Sequence, residues 1–475
     1  MSEPGIIPED EFLELTSFDK QLGRSIMTTY ILRPVLSTLK LWHVRGRCSA
    51  PQSDDLAQVK TMLQLCVDRY FISPGKSNTA RFRRGMSCNY GPLGMELRRN
   101  LLEQWWRSVS SSRDQVFGIS TVSCTMDGDS DTGEGGGHLR MVEAESLKQM
   151  LQQENISKEQ IIQELQSLLQ RAPPLRRNLL QGALLQFVPM LELVNRKLPF
   201  GLAEVGLCFE PSDGSGRLTE FTQTSLVWFC SPRTSSQWLD HWARQRLKWW
   251  RKFSLSPSGF SISNVPGEEV IAAASRGVRV LYNFPWGQEA LETLWSRGDA
   301  ELLHVHNGVR SKLQCRNERK SVPQVLSITG NVDCGLMAFL FNSLQQLEKK
   351  DGKQRLQHRK VLKLHPVLSP IKVALDTGRG ATVELKQVCE GLLHELMETK
   401  ITVWPGYLEP APTSMEQLFA KYDEMGVLFS VVITEDTLET GLLQVRSRDT
   451  TIKETMHISA IMNFLTRYIS AAEKI

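Results

Sequence analysis

Apolar and polar positions recur along the chain with two periods, one helical and one of strands. Residues 56–70 carry Val59, Met62, Leu63, Cys66 and Val67 at helical spacing, and Leu97, Leu101 and Trp105 share one face of a helix that opens after Gly91-Pro92-Leu93-Gly94. Ser157-Lys158-Glu159-Gln160 is a capping box ahead of Ile161, Ile162, Leu165, Leu168 and Leu169. After Pro173-Pro174, Leu180, Leu184, Phe187, Leu191 and Val194 alternate spacings of four and three, a heptad-like seam that Pro189 is expected to kink. These two amphipathic helices pack either on their own chain or on the same hairpin of a second copy. Residues 201–209 and 222–229 prefer strands, and the Pro, Asp, Gly and Ser of 211–216 predict the turn between them. From residue 364 onward the rhythm is α/β. Strand 371–375 leads to a helix with Leu385, Val388, Leu392 and Leu396; strand 401–404 leads to a helix over 415–422. Strands 427–433 and 442–446 meet across a turn ending at Gly441, and a closing helix carries Ile458, Ile461, Leu465 and Ile469.

Composition narrows the classes. The chain has 475 residues, enough for two or three domains, and its hydrophobic and charged fractions, 41% and 23%, are those of a globular protein. A net charge of +4 is too mild to argue nucleic-acid binding, so such a claim has to rest on local clusters. One cluster lies in 237–253, where Arg244, Lys248, Arg251 and Lys252 share an arc beside Trp238, Trp242 and Trp249. It reads either as a track for a DNA backbone or as a solvated face over an aromatic core. The nine cysteines are scattered singly, without CxxC or metal spacing, which argues for a reducing compartment and against a disulfide framework or zinc site. In 126–137, Asp127, Asp129 and Asp131 lack the glycine and closing glutamate of a calcium loop, so no metal is expected there. No apolar run reaches the roughly 18 residues of a membrane span. Residues 20–53 hold Lys20, Arg24, Arg33, Lys40, Arg45 and Arg47 but no acid, amid Ser and Thr. That composition fits a mitochondrial transit segment, with Met27 as a possible start, or a basic arm.

The 198–229 stretch resembles motif 2 of class II aminoacyl-tRNA synthetases, closest to the glycyl enzymes, through Pro199-Phe200-Gly201-Leu202-Ala203, Gly206, Phe209 and Glu220-Phe221-Thr222-Gln223. The 88–109 block resembles the segment leading into their motif 1, and 282–299 their amino-acid-pocket stretch. Residues 364–475 resemble their anticodon-binding domain. The resemblance implies a multidomain α+β and α/β protein. Residues 54–137 and 198–347 would form a synthetase-like antiparallel sheet domain, interrupted by a helical-hairpin dimerisation insert at 138–197. A linker at 348–363 would lead to an anticodon-binding-like α/β domain at 364–475, and residues 1–53 would be the leader. The family's substrate charges are replaced. Glu210 stands where an arginine grips the ATP α-phosphate, and a carboxylate there would repel it. Ser212 takes the next acidic position, Ser225 and Val227 the places of two ammonium-binding glutamates, and Leu336 that of the motif 3 arginine. No catalytic residue and no cofactor follow from this pattern.

The helical insert, the leader and the runs SLVWF, QWLDHW, KWWRKF and SRDTTIKE resemble the accessory subunits of mitochondrial DNA polymerase, a synthetase-derived family. That resemblance implies a homodimer in the mitochondrial matrix, at the nucleoid. Its partners would be the catalytic subunit of mitochondrial DNA polymerase gamma and primer–template or other double-stranded DNA, and its effect would be to raise processivity. Candidate polymerase contacts are Gly441, Arg446, Arg448 and Lys453; candidate DNA contacts are Arg244, Lys248, Arg251 and Lys252; the candidate dimer seam is Leu180, Leu184, Phe187, Leu191 and Val194. A catalytically dead tRNA-binding paralogue and an active glycyl-tRNA synthetase remain as alternatives.

Overall fold

The structure is a computed structural model that describes residues 53–110, 115–123, 139–152, 157–211, 218–316, 322–350, 356–377, 382–409 and 414–474. The leader, the 126–137 loop and Ser212 lie outside the described residues. A seven-stranded sheet organises the larger part: β1 (Val116–Gly118), β2 (Phe200–Pro211), β3 (Leu218–Cys230), β4 (Phe260–Asn264), β5 (Arg276–Phe284), β6 (Gly287–Gly298) and β7 (Gln324–Asn331). Their order is β1-β2-β3-β7-β6-β5-β4, antiparallel except for β1 beside β2. The predicted hairpin is its centre, with Phe200 opposite Phe229 and Pro211 opposite Leu218.

Along β3 every residue from Thr222 to Cys230 is buried, because both faces of the sheet are covered. Successive side chains point to opposite faces, so the two strands feed two cores. Ala203, Leu226 and Trp228 pack under Leu97, Leu101 and Trp105. Leu202, Val227, Phe200 and Phe229 pack under Leu180, Leu184, Phe187 and Leu191.

In chain order the helices used below are α1 (Ser53–Asp68), α2 (Pro92–Ser110), α3 (Ala144–Leu151), α4 (Lys158–Arg171), α5 (Leu180–Leu185), α6 (Phe187–Leu193), α7 (Ser235–Lys252) and α8 (Val332–Ser343). The capping box at Ser157 forms, with reciprocal bonds to Gln160. The single helix expected after Pro174 does not: it breaks at Gln186 into α5 and α6. The break lies one turn before Pro189, whose ring and missing N–H exclude a helical bond to the Leu185 carbonyl, so the interruption expected from Pro189 is present as the break between α5 and α6. The expected linker at 348–363 is also corrected. β8 (Leu344–Lys350) and β9 (Leu356–Leu362) pair as an antiparallel hairpin from Leu344–Leu362 to Lys350–Leu356.

The last part is a five-stranded sheet of β10 (Val373–Asp376), β11 (Val403–Pro405), β12 (Phe429–Val432), β13 (Leu442–Ser447) and β14 (Lys453–His457) in the order β11-β10-β12-β13-β14. Its helices are α9 (Val383–Glu398), α10 (Met415–Glu424), α11 (Glu435–Thr440) and α12 (Ile461–Lys474). The expected turn before Gly441 is instead the short helix α11, and Gly441 is its left-handed C-cap at φ 70°. Leu418, Tyr422 and Met425 of this part join the core of the larger sheet. Arg69 bonds Glu424, and Asn100 donates to the carbonyls of Leu368 and Ser369, so the two parts are packed together.

Candidate nucleic-acid interface and the closed strand face

Glu210, Ser225 and Val227 occupy one face of the β2–β3 hairpin, because Ser225 pairs with Glu204, Val227 with Leu202, and Glu210 lies in step with both along β2. That face is closed. Val227 is fully buried among Leu180, Leu184, Phe187 and Leu191 of the same chain, and Val194 packs half-buried against them. These five residues, expected as a dimer seam, therefore complete an intrachain core. Ser225 is buried beside Glu204. Glu210 is partly buried, and loss of water pushes its carboxyl above the usual range while Arg177 pulls it back. Leu336 lies in the opposite core, fully buried.

Near Leu336, a polar knot not foreseen from sequence ties α8 to the hairpin. Buried Asp333 accepts from Tyr90 Oη at 2.6 Å, Ser87 Oγ at 3.0 Å and the Thr222 amide at 2.7 Å. Burial is the main reason the Tyr90 hydroxyl is held well above its usual pKa, and the Asp333 carboxylate adds to it.

On α7, Arg244, Lys248, Arg251 and Lys252 are all exposed and share the outer face. Arg251 donates through Nε and Nη2 to the Phe260 carbonyl, and Lys252 Nζ donates to the Glu473 carbonyl at 2.9 Å. Both residues are exposed, but their charged heads are held by backbone carbonyls of the same chain. The neighbouring aromatics are not a stacking platform. Trp242 and Trp249 are buried, and Trp238 lies against Trp228 with ring centroids 4.9 Å apart. A fifth cation, Arg246, faces inward. It grips Glu292 with two bonds of 2.8 and 2.7 Å, donates to Ser108 Oγ at 2.8 Å, and lies 4.4 Å over the Trp249 ring. Its steps of four and three from Trp242 and Trp249 place it within the aromatic arc, a signal the sequence did contain.

The last part sorts its candidates differently. Arg446 is buried and makes a two-point ion pair with Asp423, which also holds Arg359. Arg448 is buried too, bonded to Asp449 and to the carbonyls of Gly426 and Leu364. Both are structural cations, so neither is a surface contact: a buried acid and backbone carbonyls already take up their donors. Lys453 is exposed, its Nζ 4.9 Å from the Phe419 ring. Gly441 is half-buried, and a Cβ there would meet His457 Nε2 at 2.5 Å. Among the described residues there is no group of three or more His, Cys, Asp or Glu able to hold a metal ion. None of the described helices is long and apolar enough to cross a membrane.

Comparison with known proteins agrees with this architecture. Residues 371–468 match the anticodon binding domain family. The DNA polymerase subunit gamma-2 of Bos taurus is 50% identical over 452 residues, covering 93% of this chain and 91% of that protein. The mitochondrial DNA polymerase subunit gamma-2 of Xenopus laevis is 45% identical over 424 residues, with 86% and 88% covered. A glycine–tRNA ligase of Thermus thermophilus is 26% identical over 478 residues, spanning 79% of this chain and 92% of the ligase. The mixed sheets, their helices and the anticodon-binding match make the fold class II synthetase-like. Half of its residues being identical across nine-tenths of both chains, the protein belongs to the family of DNA polymerase gamma-2 subunits.

Proposed function

We propose that the protein is a non-catalytic accessory subunit of the mitochondrial replicative DNA polymerase, acting in the matrix at the nucleoid. The observation that carries this is the near-full-length identity to gamma-2 subunits. The closed strand face supports the non-catalytic part: apolar helices α5 and α6 fill the space above Val227. Glu210, Ser225 and Val227 then stand for substrate charges lost from a synthetase scaffold, whereas Leu336, in the opposite core, does not share their face.

In this reading α7 presents Arg244, Lys248, Arg251 and Lys252 to the DNA backbone, and the last part, through Lys453 and the Gly441 corner, meets the catalytic subunit. Added positive charge and contact area slow the polymerase's release from DNA without any chemistry by the subunit. The chain acts as a homodimer. With the predicted seam buried in its own core, the dimer contact moves to α3 and α4. No residue of α4 is buried, while Ile162 and Leu169 are exposed and Ile161, Leu165 and Leu168 only half-covered. Residues 138–197 then act as the dimerisation insert and residues 1–53 as a transit segment.

The test is primer extension by the catalytic subunit, with and without this protein, as salt rises. Longer products that persist at higher salt are expected. The anticodon-binding match at 371–468 favours a second reading, a tRNA-binding paralogue. No effect from a folded dimer that retains tRNA would establish that one instead.

A further inference from the structure

Glu204 lies at the middle of the closed face of β2, 3% exposed. Its Oε1 accepts from the Thr121 amide at 2.8 Å, Thr121 Oγ1 at 2.7 Å and Arg176 Nη1 at 3.3 Å. Its Oε2 is buried without a partner, as is Oγ of Ser225, the residue directly opposite on β3. A buried carboxylate in that state is costly unless a cation stays beside it. The cation comes from far along the chain. Arg176 also donates from Nε to the Leu207 carbonyl at 2.6 Å and from Nη1 to the Thr121 carbonyl at 2.8 Å. The flat guanidinium thus spans β2 and the strand-like segment beside it, a geometry a point-charge ammonium does not reproduce. The strand makes room for it: at Gly206 a Cβ would overlap Arg176 Nη2.

Arg176 closes the stem from which α3 and α4 extend. The Met141 amide donates to the Pro173 carbonyl at 3.1 Å and the Leu175 amide to Leu139 at 2.8 Å, joining the two arms. The Arg176 amide then donates to Ser123, and its carbonyl accepts from the Phe209 amide. We propose that Glu204, Thr121 and the Leu207 carbonyl form a guanidinium-recognition site which the chain fills with its own Arg176, and that this internal ligand pins the α3–α4 segment to the sheet. The site selects a planar cation with several N–H donors, and a neutral or spherical group does not replace it.

Chemical rescue of the full chain tests this. Arg176→Ala leaves the Glu204 carboxylate uncompensated and a guanidinium-sized space. Amide exchange over 139–152 and 157–176 is expected to rise roughly 10- to 100-fold, the range for losing a charged hydrogen bond. Guanidinium at low millimolar concentration restores protection; urea at the same concentration does not; adding Glu204→Gln abolishes the rescue. Unchanged exchange in a folded Arg176→Ala protein, or equal rescue by urea, overturns the proposal. Should Arg176→Ala not fold, Gly206→Ala carries the test, since it displaces the guanidinium while keeping every charge. Raised exchange over the same amides then supports the latch, and wild-type exchange rejects it.

Discussion

Arg246 and Glu292 show how much a single buried pair decides. Their side chains are 2% and 1% exposed, and removing one leaves the other charged in the core. Arg246→Leu is therefore expected to cost about 3–5 kcal/mol, whereas Arg246→Met with Glu292→Met together costs far less. Denaturant unfolding of both variants checks this; equal losses would mean that packing against Trp249, not charge, holds Arg246. Gly441 acts through its backbone. At φ 70° any other residue is strained, and the Cβ of Gly441→Glu would also press on His457. The variant is expected to lose about 1–2 kcal/mol of local stability in the last part, and with it stimulation of the polymerase. Full stimulation by a folded Gly441→Glu protein would remove this corner from the contact surface. In the sequence Arg446 and Arg448 look no different from a solvated arginine, and only Arg246 carries a spacing, in step with Trp242 and Trp249, that sets it apart from Arg244. What buries each arginine is a partner distant in sequence and set by tertiary packing: Glu292 for Arg246, Asp423 for Arg446, and the Gly426 and Leu364 carbonyls for Arg448.

At the scale of elements the central hairpin was legible, because its alternation, turn residues and lengths all pointed the same way. The paired helices were legible as helices but not in their roles. Periodicity shows that a face is apolar, not what covers it, so the better heptad seam became core in α5 and α6 while α4 kept its apolar face open. In the dimer reading, Ile162→Glu with Leu169→Glu disrupts self-association without unfolding the chain. Sedimentation at micromolar concentration should show a monomer of native stability, and an unchanged dimer would move the contact elsewhere. For α7, charge reversal at Arg244 and Lys248 removes two exposed cations that carry no structural bond comparable to that of Arg251. Duplex affinity should fall, and the slope of log K against log salt should flatten by about 1 for each phosphate that is no longer neutralised. An unchanged slope would return the stripe to the solvent.

For the molecule as a whole, the domain boundary read at residue 364 marks a change of architecture but not a gap in the packing. Leu418, Tyr422 and Met425 lie in the core of the first sheet, and Arg69, Asn100 and Arg107 reach across to Glu424, Ser369 and Glu473. The joint also holds a buried histidine. His365 packs edge-on to Phe253 at 5.3 Å, and its Nδ1 accepts the Val367 amide at 3.3 Å, which requires an unprotonated nitrogen. Burial, then Lys252, Lys372 and Arg448, lower its pKa from 6.5 to about 4. The folded joint holds the neutral ring, so this stabilisation is complete above pH 6.5 and shrinks as pH falls from there through 4. Calorimetry at neutral pH should accordingly give one cooperative transition for both parts, moving down as pH drops across that window. His365→Asn keeps an acceptor without a titratable charge and should flatten the fall relative to the unaltered chain. Two separate transitions at neutral pH would show that the shared core does not couple the parts. An equal fall in His365→Asn would assign the acid sensitivity to the carboxylates alone.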